Sequence, residues 1–296
     1  MVLICYKLRG KKVVSSFKST GVKKANIIIC ILTLIGLIFF NCCHKELPSE
    51  KFNQYSYEVS SKYESDSLKI RIINPLYSPL RFFIYREDDT SLNKFIILKS
   101  ITLNAKSDTT LILFGVEDFK ISSLLGSLEK EILPIELDLP FQEGKEYSII
   151  QGNNSKFTHN TDYFRYALDF NIKTNDTICS ATDGFVVGVV DQYKYSGKGK
   201  KWTPYANFIT IYDPYSGVYL QYVHLVQNGS LVKIGDKVER GQKIALSGNT
   251  GRSTVEHLHF NLLIPVDNSE GLKSIPITFK GGIEGKSLKR GDKLKK

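Results

Sequence analysis

The sequence predicts a mainly β protein whose strands fall into two regions behind a short N-terminal targeting segment. Short apolar runs alternate with polar residues at a period of two, which is typical of half-buried strands. Clusters of Gly, Asn, Asp and Ser separate these runs and indicate turns. Four of the five cysteines precede residue 44, so the rest of the chain cannot be built on a disulfide framework.

Residues 1–45 have the character of an export signal and membrane anchor. Residues 1–24 carry seven Lys or Arg and no acidic residue, and residues 27–40 form an apolar run. This run is shorter than the roughly 20 residues that span a membrane, and it follows a basic segment as in a signal peptide. Cys42 or Cys43, directly after the run, resembles the acylated cysteine of a bacterial lipoprotein. The alternative is an uncleaved signal anchor, and both predict an exported, membrane-anchored protein on the periplasmic or cell-surface side of a bacterium.

The net charge of +10 is concentrated at the two ends of the chain. Residues 1–24 contribute +7 and residues 271–296 contribute +6, so the body of the chain carries −3. A body without a basic surface argues against nucleic acid as a partner. Residues 286–296 are interpreted as a solvated basic tail.

The exported part divides into three segments by its pattern. Residues 46–65 are polar and are interpreted as a linker. Residues 66–150 contain short alternating runs that predict a β-sandwich accessory domain, for which an immunoglobulin-like arrangement is one candidate. Residues 151–285 contain a second series of strand-like runs. The segment Tyr193–Tyr205 has no strand pattern and is predicted to be a loop at the edge of a groove.

The histidines point to a single site in the second region. His257 and His259 flank Leu258 in an apolar run, and alternation along a strand would place both imidazoles on one face. The other histidines after residue 45 are His159 and His224, so all four can join one site. For a His-x-His pair alone, two half-buried structural histidines are the alternative.

Five motifs occur in a fixed order between about residue 159 and residue 279. Together they resemble the lysostaphin-type, LytM-like zinc endopeptidases of bacterial cell walls. This resemblance implies that residues 151–285 form a LytM-like antiparallel β-sheet domain of the duplicated hybrid motif, or barrel-sandwich, type. The motifs are Leu168-Asp169-Phe170, Ala181-Thr182-Asp183-Gly184, Tyr222-Val223-His224-Leu225, Gly248-Asn249-Thr250-Gly251 and His257-Leu258-His259-Phe260.

The same resemblance implies a zinc endopeptidase that hydrolyses the peptide cross-links of peptidoglycan, bound through their peptide stems. One zinc ion per chain would be held by three protein ligands, with water in the fourth position. Two further histidines would serve as acid, base and oxyanion donor, in roles that the sequence does not separate. The implied ligands are His159, Asp169 and His259, the implied catalytic residues are His224 and His257, and the candidates for the substrate groove are Asn207 and Tyr222. Tyr222 is a candidate because it would share a strand face with His224, and packing in the core is the alternative for it.

One departure from the family pattern concerns the first ligand. Its compact form has a histidine four residues before the aspartate, where this chain has Arg165, which stays protonated and cannot bind zinc. His159 lies ten residues before Asp169, and a longer loop between them is the favoured interpretation. The alternative is a non-catalytic protein that binds the cell wall or regulates a partner hydrolase. A structural zinc enclosed by four histidines is a third possibility, against which Asp169 argues.

Overall fold

The computed structural model describes residues 46–87 and 95–296 of the 296-residue chain. The predicted signal segment, with Cys42 and Cys43, lies outside the described residues. Within the described residues, no helix combines the length and the apolar character that crossing a membrane requires. Residues 47–296 form one compact unit.

The regular secondary structure of the described residues is almost entirely antiparallel β-sheet, which confirms the predicted fold class. Two short 3₁₀ turns, Lys200–Tyr205 and Gly285–Ser287, are the helical elements of this part of the chain. The strands are β1 (Glu58–Glu64), β2 (Ser67–Ile73), β3 (Leu80–Glu87), β4 (Phe95–Leu103), β5 (Asp108–Phe114), β6 (Lys120–Leu125), β7 (Glu146–Gln151), β8 (Leu168–Phe170), β9 (Thr177–Cys179), β10 (Gly184–Val190), β11 (Phe208–Tyr212), β12 (Tyr219–Val223), β13 (Leu225–Ser230), β14 (Lys237–Val238), β15 (Lys243–Ser247), β16 (Leu258–Pro265), β17 (Leu272–Ser274), β18 (Thr278–Phe279), β19 (Ile283–Glu284) and β20 (Lys293–Lys295).

Two three-stranded sheets, ordered β1-β2-β5 and β4-β3-β6, make up the N-terminal region. Strand β2 shows the alternation expected from its sequence, with its Leu and central Ile side chains buried and Lys69 and Arg71 exposed between them. Strand β3 contributes Phe82 and Ile84 to the same apolar cluster. The two sheets therefore share one core, as in the predicted sandwich.

The C-terminal region is built on a nine-stranded sheet ordered β14-β10-β11-β12-β16-β8-β7-β20, with β17 paired to β16. A three-stranded sheet, β13-β15-β9, shares an apolar core with one face of it. Phe170, Tyr222 and Phe260 project into this core. Tyr219 and Leu263 belong instead to the core of the N-terminal sandwich, so the sandwich packs against the opposite face of the large sheet.

Three strands lie where the sequence does not reveal them. Strand β1 falls within the predicted linker, and all of its side chains are exposed, so it has no apolar alternation. Strand β7 straddles the predicted boundary at residue 150 and pairs with both β8 and β20 in the large sheet. Strand β20 falls within the predicted basic tail, where Leu294 alone is buried.

The C-terminal end is held by charge as well as by strand pairing. The Lys296 ammonium group donates a hydrogen bond to the Leu139 carbonyl and lies 3.7 Å from Asp138. Asp138 also pairs with Lys280 at 2.8 Å and with Arg240 at 3.4 Å. Burial would raise the pKa of Asp138, but the hydrogen bond from Lys280 and the charges of Lys296 and Arg240 outweigh it and lower the pKa. The prediction of a solvated tail was wrong because this carboxylate lies far away in the sequence.

Arg81 connects the sandwich to the large sheet through hydrogen bonds to backbone carbonyls. The side chain is buried, and its guanidinium group donates to Leu125 and Gly126 of the sandwich and to Val266 and Gly271 beside β16 and β17. A planar guanidinium with five donors suits four acceptors in fixed positions. This residue therefore joins the two regions through backbone acceptors on both sides.

We predict that Arg81→Met lowers the free energy of unfolding by about 3 kcal/mol, because four carbonyls would lose their charged donor, in three cases at a buried hydrogen bond. Urea denaturation followed by fluorescence measures this change. Arg71→Met is the matched control, since Arg71 pairs with Asp108 at the surface and its loss should cost less than about 1 kcal/mol. Equal destabilisation by the two substitutions would contradict the assigned role of Arg81.

Candidate metal centre

Strand pairing places two of the predicted ligands opposite each other. In the antiparallel ladder between β8 and β16, His259 is the direct partner of Asp169. Their neighbours Leu168, Leu258 and Phe260 face the core, so the two polar side chains project from the other face of the sheet. His259 Nδ1 lies 2.9 Å from Asp169 Oδ1. The alternation predicted from the sequence therefore holds for His259.

The third predicted ligand, His159, reaches the same point from the loop between β7 and β8. Its ring is fully buried, and its Nε2 atom lies 3.3 Å from Asp169 Oδ1 and 3.2 Å from His259 Nδ1. Arg165 instead pairs with Asp162 at 2.9 Å on the exposed side of the loop. The loop between His159 and Asp169 thus closes back on the site, as the longer-loop interpretation requires.

Hydrogen bonds fix this loop on the face of the large sheet. The Tyr163 hydroxyl group donates to Gln221 at 3.0 Å, and the Asn261 amide donates to the Tyr163 carbonyl at 2.7 Å. Ser274 accepts from the Tyr166 backbone N–H at 3.0 Å. Gln221, Asn261 and Ser274 belong to three neighbouring strands, so the sheet itself sets the position of the loop.

The arrangement of lone pairs fits a divalent cation. The ligand atoms of His159, Asp169 and His259 all lie within 4.8 Å of one another. His159 Nδ1 is 3.0 Å from the Gly152 carbonyl, which can only accept, so the lone pair of this ring is on Nε2. His259 Nδ1 lies 3.2 Å from His159 Nε2 and 2.9 Å from Asp169 Oδ1, so this nitrogen of the His259 ring faces the other two ligand atoms. Nitrogen and carboxylate oxygen atoms that converge in this way are a ligand set that suits zinc.

The electrostatics of the group favour a charged aspartate and neutral rings at His224 and His259. Burial would lower the pKa of His159, but the hydrogen bond and the charge of Asp169 outweigh it and raise the pKa. Burial would raise the pKa of Asp169, but the charge of His257 and the hydrogen bonds of His159 and His259 hold it well below its usual range. Burial lowers the pKa of His259, against the opposing effect of Asp169. The pKa of His224 lies well below its usual range because of burial and the neighbouring imidazoles. Neutral imidazole and ionised carboxylate are the forms that bind a metal.

His224 and His257 lie beside each other at the edge of the ligand group. Their ring centroids are 4.5 Å apart, and His257 Nε2 is 3.8 Å from Asp169 Oδ2. His224 Nδ1 donates to the Thr250 carbonyl at 2.6 Å, and His257 Nδ1 donates to the Val255 carbonyl at 2.8 Å. Each ring is thus held through its own Nδ1 atom, which leaves its Nε2 atom available for chemistry.

The prediction that Tyr222 lines the groove was wrong. Its side chain is fully buried in the core, and its hydroxyl oxygen accepts a hydrogen bond from the Ala181 backbone N–H at 2.8 Å. Strict alternation would have put His224 on the same face as Tyr222. His224, however, has a φ of 69°, in the left-handed region, and lies just beyond the end of β12. This backbone conformation turns the imidazole toward the site and away from the core.

Asn207 does not lie in the pocket either. It is fully buried, and its side chain exchanges hydrogen bonds with both backbone groups of Tyr193 and donates to the Leu225 carbonyl. Its backbone N–H donates to the Thr250 hydroxyl group at 3.0 Å. Because the Thr250 carbonyl holds His224, Asn207 supports the position of that ring rather than contacting a substrate.

An open pocket lies over the ligand group. Asp169, His224, His257 and His259 line it, together with apolar side chains such as Phe164 and Val223. Lys198 and Thr203 also line it, which confirms that the segment Tyr193–Tyr205 borders the groove. Arg252 lines it as well, although no pattern in the sequence distinguishes this arginine from an ordinary turn residue.

Comparison with known proteins identifies the family of this region. Residues 163–270 match the model of peptidase family M23. This part of the chain is an M23 peptidase domain. The matched residues include Asp169, His224, His257 and His259, whereas His159 lies just before them.

Two curated relatives that match this region come from bacteria. An uncharacterized metalloprotease of Buchnera aphidicola is 35% identical over 150 residues, covering 48% of this chain and 35% of that protein. The peptidoglycan DD-endopeptidase ShyB of Vibrio cholerae is 41% identical over 103 residues, covering 33% of this chain and 21% of that protein. The chain thus spans about a third or less of the length of these curated relatives.

Among solved structures, a zinc containing peptidase from Vibrio cholerae aligns with 90% of this chain and 95% of its own. The two are 18% identical, with a TM-score of 0.35. The catalytic domain of lysostaphin from Staphylococcus simulans aligns with 44% of this chain at 22% identity, with a TM-score of 0.31, and 87% of that domain is covered.

We predict that the purified protein binds about one zinc ion per chain and that His159→Ala abolishes this binding, because only two ligands would remain. Arg165→Ala is the matched control and should keep the metal, since its side chain pairs with Asp162 away from the group. Elemental analysis after dialysis measures the stoichiometry. Zinc retained by the His159→Ala variant would show that this histidine is not a ligand.

Proposed function

We propose that the protein is a zinc-dependent endopeptidase that hydrolyses peptide cross-links of bacterial peptidoglycan. The observation that carries this proposal is the convergence of His159, Asp169 and His259 below a pocket that also holds His224 and His257. The M23 peptidase domain and the relative named a peptidoglycan DD-endopeptidase support the reaction and the substrate class.

The polar residues of the site have two kinds of proposed role. His159, Asp169 and His259 would hold the zinc ion through Nε2, the carboxylate and Nδ1. A bound zinc ion supplies Lewis-acid activation of the peptide carbonyl and of water. Of the five polar residues at the site, His224 and His257 are the two outside this ligand set.

These two imidazoles can move protons and stabilise charge. Because Nδ1 of each ring donates to a backbone carbonyl, the neutral ring carries its lone pair on Nε2 and can accept a proton there. Once protonated, the same Nε2 can donate to an oxyanion or to the leaving amine. The low pKa of His224 favours the neutral, accepting form at the outset. The pair can therefore act as both general base and general acid.

We further propose that the protein is exported and held at a membrane by its N-terminal segment. The support is in the sequence, where seven basic residues precede an apolar run that ends near Cys42 and Cys43. Such an anchor would keep the M23 domain on the side of the membrane that faces the cell wall.

Digestion of purified peptidoglycan tests the proposed activity. Wild-type protein loaded with zinc should release soluble muropeptides, detected by liquid chromatography and mass spectrometry. His224→Ala and His257→Ala should each lower the rate by about 10²-fold or more while keeping the zinc, because neither is among the three proposed ligands. Arg165→Ala should digest at the wild-type rate. Zinc-loaded wild-type protein that binds peptidoglycan without releasing muropeptides would instead indicate a wall-binding protein.

A further inference from the structure

Two cationic side chains border the pocket without a partner of opposite charge. Arg252 and Lys198 both line it. Within residues 46–87 and 95–296, neither forms a salt bridge or a hydrogen bond to a carboxylate. Asp169 is the one acidic residue among those that line the pocket, and it is engaged by His159, His257 and His259. The mouth of the pocket therefore carries unbalanced positive charge.

Backbone pairing brings these two residues to the same edge of the pocket. Ser196 and Gly251 form a parallel β-bridge. The Gly197 N–H donates to the Gly251 carbonyl at 2.9 Å, and the Gly251 N–H donates to the Tyr195 carbonyl at 3.0 Å. Because the two segments run parallel, Lys198 and Arg252 both come directly after the bridge in the chain direction. They lie on separate loops that are tied together directly before them.

Close packing keeps this edge rigid. Gly251 has a φ of 73°, and a Cβ atom there would lie 2.5 Å from the Ala206 side chain. Gly197 lies directly against the indole of Trp202, where a Cβ atom would come within 2.0 Å. Trp202 is buried together with Tyr193 and Tyr205. The loops that carry the two cations are thus positioned by a small apolar core, which is what a preformed binding site needs.

The chemistry of the pair points to an anion as its ligand. A guanidinium group binds a carboxylate through two parallel hydrogen bonds, and an ammonium group nearby adds charge without a fixed direction. Arg252 is half-buried, so its interaction is screened less by water than that of an exposed cation. Lys198 is exposed and can move toward a ligand held by Arg252.

We propose that Arg252 and Lys198 form an anion subsite that binds a free carboxylate of the peptide beside the bond that is cut. This inference rests on the proposed endopeptidase function and narrows its substrate class. The enzyme should therefore prefer cross-links that carry a carboxylate next to the scissile bond, and it should cleave neutral cross-links such as glycine bridges less well. Arg252 is the principal specificity residue, and Lys198 adds positive charge beside the bound carboxylate.

A pair of synthetic cross-linked peptides tests this subsite. The two are identical except that the carboxylate beside the scissile bond is free in one and is a carboxamide in the other. Cleavage is measured as kcat/KM, and binding is measured by fluorescence anisotropy of labelled peptides with the zinc-loaded and metal-free full-length protein. The variants are Arg252→Gln, Arg252→Lys and Lys198→Gln. Lys200→Gln is the matched control, since this exposed lysine of the same loop does not line the pocket.

The wild type should prefer the free carboxylate by about 10-fold in kcat/KM, equivalent to one charged hydrogen-bonded contact. Arg252→Gln should reduce this preference to about 1 by slowing only the acidic peptide, Lys198→Gln should reduce it partly, and Arg252→Lys should restore part of it. Lys200→Gln should keep the wild-type preference. The preference in binding should weaken as salt is raised.

Two results would overturn the proposal. One is equal cleavage and equal binding of both peptides by the wild type. The other is a loss with Arg252→Gln that is the same for both peptides, which is the effect expected of a purely structural residue. If neither peptide is cleaved but the free carboxylate still binds about 10-fold tighter in an Arg252-dependent manner, the proposed peptidase function fails and the subsite stands.

Discussion

The antiparallel pairing of β8 with β16 is the constraint on which the rest of the site depends. It makes Asp169 and His259 direct cross-strand partners, and the neighbouring apolar residues bury the opposite face of both strands in the core. A shift of one residue in either strand would turn one of the two side chains into the apolar interior. The position of two proposed metal ligands is therefore set by the same packing that stabilises the domain.

Backbone carbonyls hold the other three histidines of the site. Gly152, Thr250 and Val255 supply the carbonyls that hold Nδ1 of His159, His224 and His257. Such contacts fix the tautomer and the orientation of each ring. These contacts depend on the conformation of the loops that carry the three carbonyls and not on the side chains of the residues that supply them.

The site and the fold differ in how far the sequence predicts them. Alternation placed His259 correctly, because β16 is a regular strand with one face in the core. His159 was assigned through the family resemblance, since the loop that returns it to Asp169 has no periodic pattern. Tyr222 and Asn207 were misplaced because the left-handed backbone at His224 breaks the alternation, and because Asn207 makes its contacts with distant loops. Strand β20 was missed because its register depends on β7 and on Asp138.

We propose that a longer loop supplies the first of three zinc ligands, His159. A crystal structure of the zinc-loaded protein, with an anomalous difference map collected at the zinc absorption edge, would locate the metal. We expect one peak bonded to His159 Nε2, the Asp169 carboxylate and His259 Nδ1, at about 2.0–2.2 Å from each. A peak without His159 in its coordination sphere, or one bonded to His224 or His257, would show that this ligand set is wrong.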